Sequence, residues 1–147
     1  MKGNDCLNKY ISFNECSALN VEDPETLKAV LSSISTLKSN DEDPQILLTL
    51  KFNQNVNITY IQVEGGMNKV NLPSSLKVFN GREDLDFDDV QEMKPTEQFD
   101  LGKNIGKPMR VNIPRFKNVN VLTVRINLIL FNIYRCFFII MMHLKFK

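Results

Sequence analysis

Apolar residues alternate with others from Ile46 onward. Ile46, Leu48, Leu50 and Phe52 form one set, and Leu47, Thr49, Lys51 and Asn53 form the other. Alternate side chains of a strand point to opposite faces, so a period of two predicts a strand with one buried face. Asn53-Gln54-Asn55 breaks the run, and Val56, Ile58 and Tyr60 then alternate again. At Ile61 and Val63 the apolar positions change parity. A β-bulge, or a strand buried on both faces, accounts for such a change. These two runs, within residues 41–63, are the predicted centre of the fold.

The pattern elsewhere is mostly that of short strands. Leu76, Val78 and Phe79 predict one, followed by the turn pair Asn80-Gly81. Residues 95–101 predict another, with Phe99 and Leu101 inward. Met109, Val111 and Ile113 alternate up to Pro114, which suits a strand boundary. Leu122, Val124 and Ile126 form a further run. Before these, Asp23-Pro24-Glu25 reads as a helix start, with residues 26–37 following as a short N-terminal helix. Residues 1–9 are polar and read as a flexible N-terminus, and residues 10–19 show no clear period. Short strands separated by turn signals predict an all-β sandwich of jelly-roll type.

Composition adds one decisive asymmetry. The 147 residues are 43% hydrophobic and 24% charged with a net charge of +1, ordinary values for one globular domain. Residues 1–44 hold four Lys/Arg against eight Asp/Glu, and residues 45–101 hold five against nine. Residues 102–147 hold nine Lys/Arg and no acid. Within residues 82–92 (REDLDFDDVQE) six carboxylates crowd together, and Asp86 is placed to cap one helical turn carrying Phe87 and Val90. The central Gly and terminal Glu of a calcium loop are missing there, so a solvated acidic turn or a face for a basic partner is expected rather than a metal site.

Chemistry is sparse. Cys6, Cys16 and Cys136 have neither zinc-ligand spacing nor a C-x-x-C pair, and His143 is the only histidine. The odd cysteine count, with no N-terminal signal peptide, points to a reducing compartment. No nucleophile–base pair, metal cluster or phosphate-cradling glycine loop is found, so no enzyme activity and no cofactor are expected. Phe116 between Arg115 and Lys117 is too thin a basis for nucleic-acid binding.

The texture changes at Asn127. LILFNIYRCFFIIMMHLKFK is apolar at nearly every position and lacks acids, glycine and proline. Arg125, Asn127, Asn132 and Arg135 interrupt it, which argues against a membrane span, since an Arg near mid-bilayer costs about 2.5–3.5 kcal/mol. A membrane role is therefore expected only if residues 127–147 supply it. A replaced C-terminus is the other reading of this tail.

DEDPQILLTLKFNQNVNITYIQVEG (41–65), the run from SSLKVFNGREDLDFDD to PTEQFDL (74–101) and IPRFKNVNVLTVRI (113–126) together resemble the PITH domain, the C-terminal domain of proteasome-interacting thioredoxin-type proteins. ISFNECSALN (11–20) is a weaker match. The resemblance spans about residues 8–126. It implies a jelly-roll sandwich similar to galactose-binding-like domains, over residues 10–126. It also implies a stand-alone, non-catalytic module that docks on subunits of the proteasome regulatory particle, in cytoplasm and nucleus. No thioredoxin domain or tryptophan-cysteine motif is present, so the redox activity of two-domain relatives is not carried over. The apolar tail of residues 127–147 stands where the family has a polar turn and a closing strand, so the sandwich is expected to lack its final strand.

Two candidate partner-binding sets follow. The acidic one is Glu83, Asp84, Asp86, Asp88 and Asp89, because clustered carboxylates steer a basic partner. The basic one is Arg110, Arg115 and Lys117, with Lys107 nearby. The alternative functions are a small-ligand or carbohydrate-binding jelly roll, and a truncated product with little function. The lack of Trp weighs against an aromatic sugar platform.

Overall fold

The computed structural model describes residues 7–21, 37–38, 45–65, 73–104, 106–128 and 137–144. Among these residues nine strands run in the order β1 (Ser17–Leu19), β2 (Leu37–Lys38), β3 (Gln45–Val56), β4 (Ile58–Gly65), β5 (Pro73–Asn80), β6 (Glu97–Asp100), β7 (Met109–Arg110), β8 (Val119–Leu128) and β9 (Phe137–Leu144). Among the described residues one short helix, α1 (Phe87–Glu92), lies between β5 and β6. Short 3₁₀ turns occupy Leu7–Tyr10, Phe13–Glu15 and Ile113–Phe116. A five-stranded sheet has the order β1-β3-β8-β5-β6, and a four-stranded sheet has the order β2-β9-β4-β7. Every pairing is antiparallel. The architecture is the expected all-β sandwich.

The core follows from the strand alternation. Ile46, Leu48, Leu50 and Phe52 of β3 and Leu122, Val124 and Ile126 of β8 are buried in one apolar cluster. Leu76 and Val78 of β5 join them, together with Ile58, Ile61 and Val63 of β4 from the second sheet. Leu48 lies opposite Val124, which lies opposite Val78, so three strands offer one apolar row. Burying a side chain of this size contributes about 1.5–3 kcal/mol.

The parity change in β4 is a bulge. Ile58 pairs with Leu144 and Tyr60 with His143, so one extra residue of β4 is accommodated between them. That shift lets Ile58 and Ile61 both reach the core. The Asn53-Gln54-Asn55 break belongs inside β3 instead of ending it. Lys51 pairs with Val121 and Val56 with Val119, so β3 carries surplus residues here. Asn53, Gln54 and Asn55 are exposed between buried Phe52 and Val56.

Two sequence expectations change, and a third lies almost wholly outside the described residues. The run Met109–Ile113 yields only the two-residue β7, because Ile113 already belongs to a 3₁₀ turn with Pro114 in its first turn. Leu7, assigned to a flexible leader, is 1% exposed and sits in the core beside Ile11. The helix expected over 26–37 falls outside the described residues apart from Leu37, which is in a strand.

The sandwich also does not lack a closing strand. Phe137–Leu144 is β9, paired along most of β4 on one side and with β2 on the other. Its backbone is thus paired along both flanks. Among the described residues no helix is long and apolar enough to cross a membrane. Removing residues 129–147 therefore leaves the backbone of a core strand unpaired along one edge. Each buried polar group so stranded costs about 1–3 kcal/mol. The truncated chain is expected to lose cooperative thermal unfolding, measured by circular dichroism, whereas a tail irrelevant to the fold would leave the transition unchanged.

Candidate interaction surface

The acidic segment is a built surface element. β5 ends at Asn80, and Gly81 turns the chain at φ 82°, a backbone region that glycine enters without steric cost. The following residues cross the outer face of the five-stranded sheet before β6 resumes pairing with β5. Leu85 and Val90 are buried there against Leu47 and Phe79, with Phe87 and Met93 packed alongside. This second, smaller apolar cluster is separate from the inter-sheet core. It explains two apolar residues that are not in the inter-sheet core: Leu47 and Phe79 project from the core strands toward the acidic segment.

Polar contacts hold the segment at several points. Thr123 Oγ1, fully buried, donates to the Arg82 carbonyl at 2.6 Å. Lys51 Nζ meets Glu83 Oε2 at 2.6 Å. The hydrogen bond that Lys51 donates to Glu83 raises the Lys51 pKa above the ordinary lysine value, partly offset by desolvation. Both partners are substantially solvated, so this pair adds little to stability. At the far end the Thr96 amide donates to the Val78 carbonyl, and Thr96 Oγ1 accepts from the Asn80 amide.

Two of the five candidate carboxylates serve the helix. Asp86 caps α1, its Oδ1 accepting from the Asp89 amide at 2.9 Å, while Asp89 Oδ2 accepts from the Asp86 amide at 3.0 Å. This reciprocal box satisfies amides at the helix start. Glu83 is tied to Lys51. Asp84 and Asp88 are exposed, as is Glu92 in the last turn of α1. Glu92 lies four residues after Asp88, and no basic residue balances the helix C-terminus. Like charges at that spacing, and an acid at that end, are mildly unfavourable for the helix itself. Asp84, Asp88 and Glu92 are thus the carboxylates left to meet a partner.

The basic set divides. Arg115 lies in the 3₁₀ turn Ile113–Phe116, anchored by fully buried Phe116. Its Nη1 donates to the Thr96 carbonyl at 3.2 Å, and its own carbonyl accepts from Asn80 Nδ2 at 2.9 Å. It therefore joins the two roots of the acidic segment. Arg110, opposite Tyr60 on β7, and Lys117, after the turn, are exposed. No ion pair links Arg110, Arg115 or Lys117 to the five carboxylates among the described residues. Nor does any group of three His, Cys, Asp or Glu among those residues converge as metal ligands. The sequence reading did not find Lys51, Thr123 or Thr96. A lysine on the polar alternation of a core strand was the available signal for the first.

Cys16 is half-buried beside β3. Its thiol donates to the Ser12 carbonyl at 3.3 Å and accepts from the Lys51 amide at 3.4 Å. Burial pushes its pKa up, opposed by the Lys51 backbone hydrogen bond. The thiol form is therefore favoured in the fold, as befits an inert packing cysteine. Stability that depends on it is intact below the ordinary thiol range and is lost as pH rises through the raised value. Alkylation of Cys16 at neutral pH, followed by peptide mapping, is expected to be slow in the folded chain and fast in urea. Asp86→Ala is expected to cost about 1 kcal/mol in chemical denaturation through loss of the cap. Val90→Ala should cost more than Lys51→Ala, because it opens a cavity under the segment instead of severing a solvated pair.

The family model for the PITH domain matches residues 1–128. Among solved structures, the F5/8 type C domain of a Bacteroides fragilis protein is similar, with a TM-score of 0.54 and 16% identity, over 90% of this chain and 91% of that one. That likeness is one of fold, a jelly roll of the galactose-binding-like kind. β9 lies beyond the residues that the family model matches.

Proposed function

The chain belongs to the PITH domain family, and we propose that it is a non-catalytic interaction module that docks on subunits of the proteasome regulatory particle. Family membership supports a proteasome-related interaction, and the pinned acidic segment is the observation that carries the choice of surface. Asp84, Asp88 and Glu92 are exposed on a segment whose shape is held by Leu85, Val90 and the Asp86–Asp89 box. A preorganised charged surface spends little entropy on binding and speeds encounter with an oppositely charged patch. The partner surface is accordingly basic, and the working location is cytoplasm and nucleus. Arg110 and Lys117, exposed elsewhere, are the competing contact set.

Capture of purified regulatory particle on the immobilised full chain tests this. Binding is expected and should weaken as salt rises. Asp84→Lys with Asp88→Lys should reduce it about tenfold or more, since like charges across an interface cost several kcal/mol. Arg110→Glu with Lys117→Glu should leave it nearly unchanged. Loss with the second pair alone would move the site to the basic set. No capture by the unaltered chain would sink the docking reading.

A second reading has one observation in its favour. Asn53, Gln54 and Asn55 of the β3 bulge, with Asn118 just before β8, are exposed at one end of the sandwich. Amides suit hydroxyl-rich small ligands, and the fold likeness agrees. A melting shift with one member of a sugar panel, abolished by Gln54→Ala, would favour it.

A further inference from the structure

Asn80-Gly81 is the chain's one Asn-Gly pair, and it stands at the root of the acidic segment. An asparagine followed by glycine is chemically labile. The Gly81 nitrogen, giving up its proton, attacks Asn80 Cγ, and ammonia leaves as a succinimide closes. Water then opens that ring at either carbonyl, leaving aspartate or isoaspartate at position 80. Glycine favours the attack because no Cβ obstructs the approach to its nitrogen.

The fold opposes each requirement of this step. Asn80 is the last residue of β5, paired with Leu122. In a strand the side chain stands out of the sheet, while the following amide lies near its plane, so nucleophile and carbon are held apart. The Gly81 amide is engaged with the Val121 carbonyl at 3.0 Å. Asn80 Nδ2 is engaged with the Arg115 carbonyl at 2.9 Å, and the Asn80 amide with Thr96 Oγ1 at 3.0 Å. Leu122 and Val121 belong to β8, Arg115 to the 3₁₀ turn, and Thr96 to the far root of the acidic segment. Freeing the pair therefore requires the root of that segment to come away from β8 and from the turn at Arg115.

The product cannot restore these contacts. An aspartate at 80 sets a carboxylate against the Arg115 carbonyl, two acceptors where a donor stood. An isoaspartate adds a methylene to the main chain between the Asn80 and Gly81 amides, which hold Thr96 and Val121. We propose that Asn80-Gly81 is a conformation-gated deamidation site: protected while the acidic segment is seated, converted when it lifts, and, once converted, unable to let it reseat. The module thus carries a one-way record of opening at its charged surface, with water as the only co-reactant.

The full chain, incubated at mildly alkaline pH and followed by peptide mass mapping, tests this. Conversion at Asn80 is expected to be about tenfold or more slower in the folded chain than in urea. Gly81→Ala in urea should suppress it, which isolates the chemistry from the fold. Val90→Ala and Leu85→Ala, which loosen the segment, should raise the rate in native buffer. Asn80→Asp should increase hydrogen exchange across residues 81–96 while leaving β3 protected. Equal rates in native buffer and urea would overturn the gating, as would native rates unmoved by both loosening variants. Unchanged exchange in Asn80→Asp would overturn the one-way consequence.

Discussion

The antiparallel pairing of β3 with β8 is the constraint on which the rest depends. Seven consecutive pairs, from Gln45↔Asn127 to Lys51↔Val121, hold one register. A slip of one residue would turn Leu48 and Val124 outward and Leu47 and Arg125 inward. The register is enforced by the hydrophobic difference between the two faces. It also brings Arg125 to Gln45, where the guanidinium donates twice to Oε1, at 2.9 and 3.2 Å. Both neighbours inherit this frame: β1 pairs along β3, and β5 along β8.

From that pair the surface follows in steps. The face turned away from the inter-sheet core is not wholly polar, because Leu47 and Phe79 project from it. Left in water they would form an apolar patch between charged neighbours. The acidic segment covers them with Leu85 and Val90, so its place is set by hydrophobic burial and its outer side is free to be charged. Charge here is not what holds the segment. Its one ion pair among the described residues is solvated, and its capping box serves the helix alone. A surface whose charges are not needed for its own stability can present them to a partner.

The second sheet obeys a different constraint. β4 is a core strand, and β7 reaches only two of its residues, Tyr60 and Ile61. The other flank must be satisfied by another strand, because buried amides and carbonyls without partners are costly. β9 supplies it from a stretch beyond the matched part of the family. A run that looks out of place as a tail is a strand paired on both flanks.

Much of this was legible along the chain. Alternation in β3, β5 and β8, the Asn80-Gly81 turn, and the Asp86 cap are local properties, written in neighbouring residues. The parity change at Ile61 likewise announced either a bulge or a doubly buried strand, and the grouped motifs announced the PITH domain. What the sequence could not show was which distant residues meet. Strand length at Met109 depended on a 3₁₀ turn, and the burial of Leu7 on a core made elsewhere. That Asp86 and Asp89 are consumed, while Asp84 and Asp88 remain free, depended on where the segment lies. The seat of the acidic segment rests on Leu47, Phe79, Lys51 and Thr123, and Leu47, Lys51 and Thr123 lie more than 30 residues from the segment residues they meet. Local composition decided which strands form and which turns close. Only packing at a distance decided which side chains are spent on the fold and which face outward, because burial is a property of the whole surface and not of any one stretch.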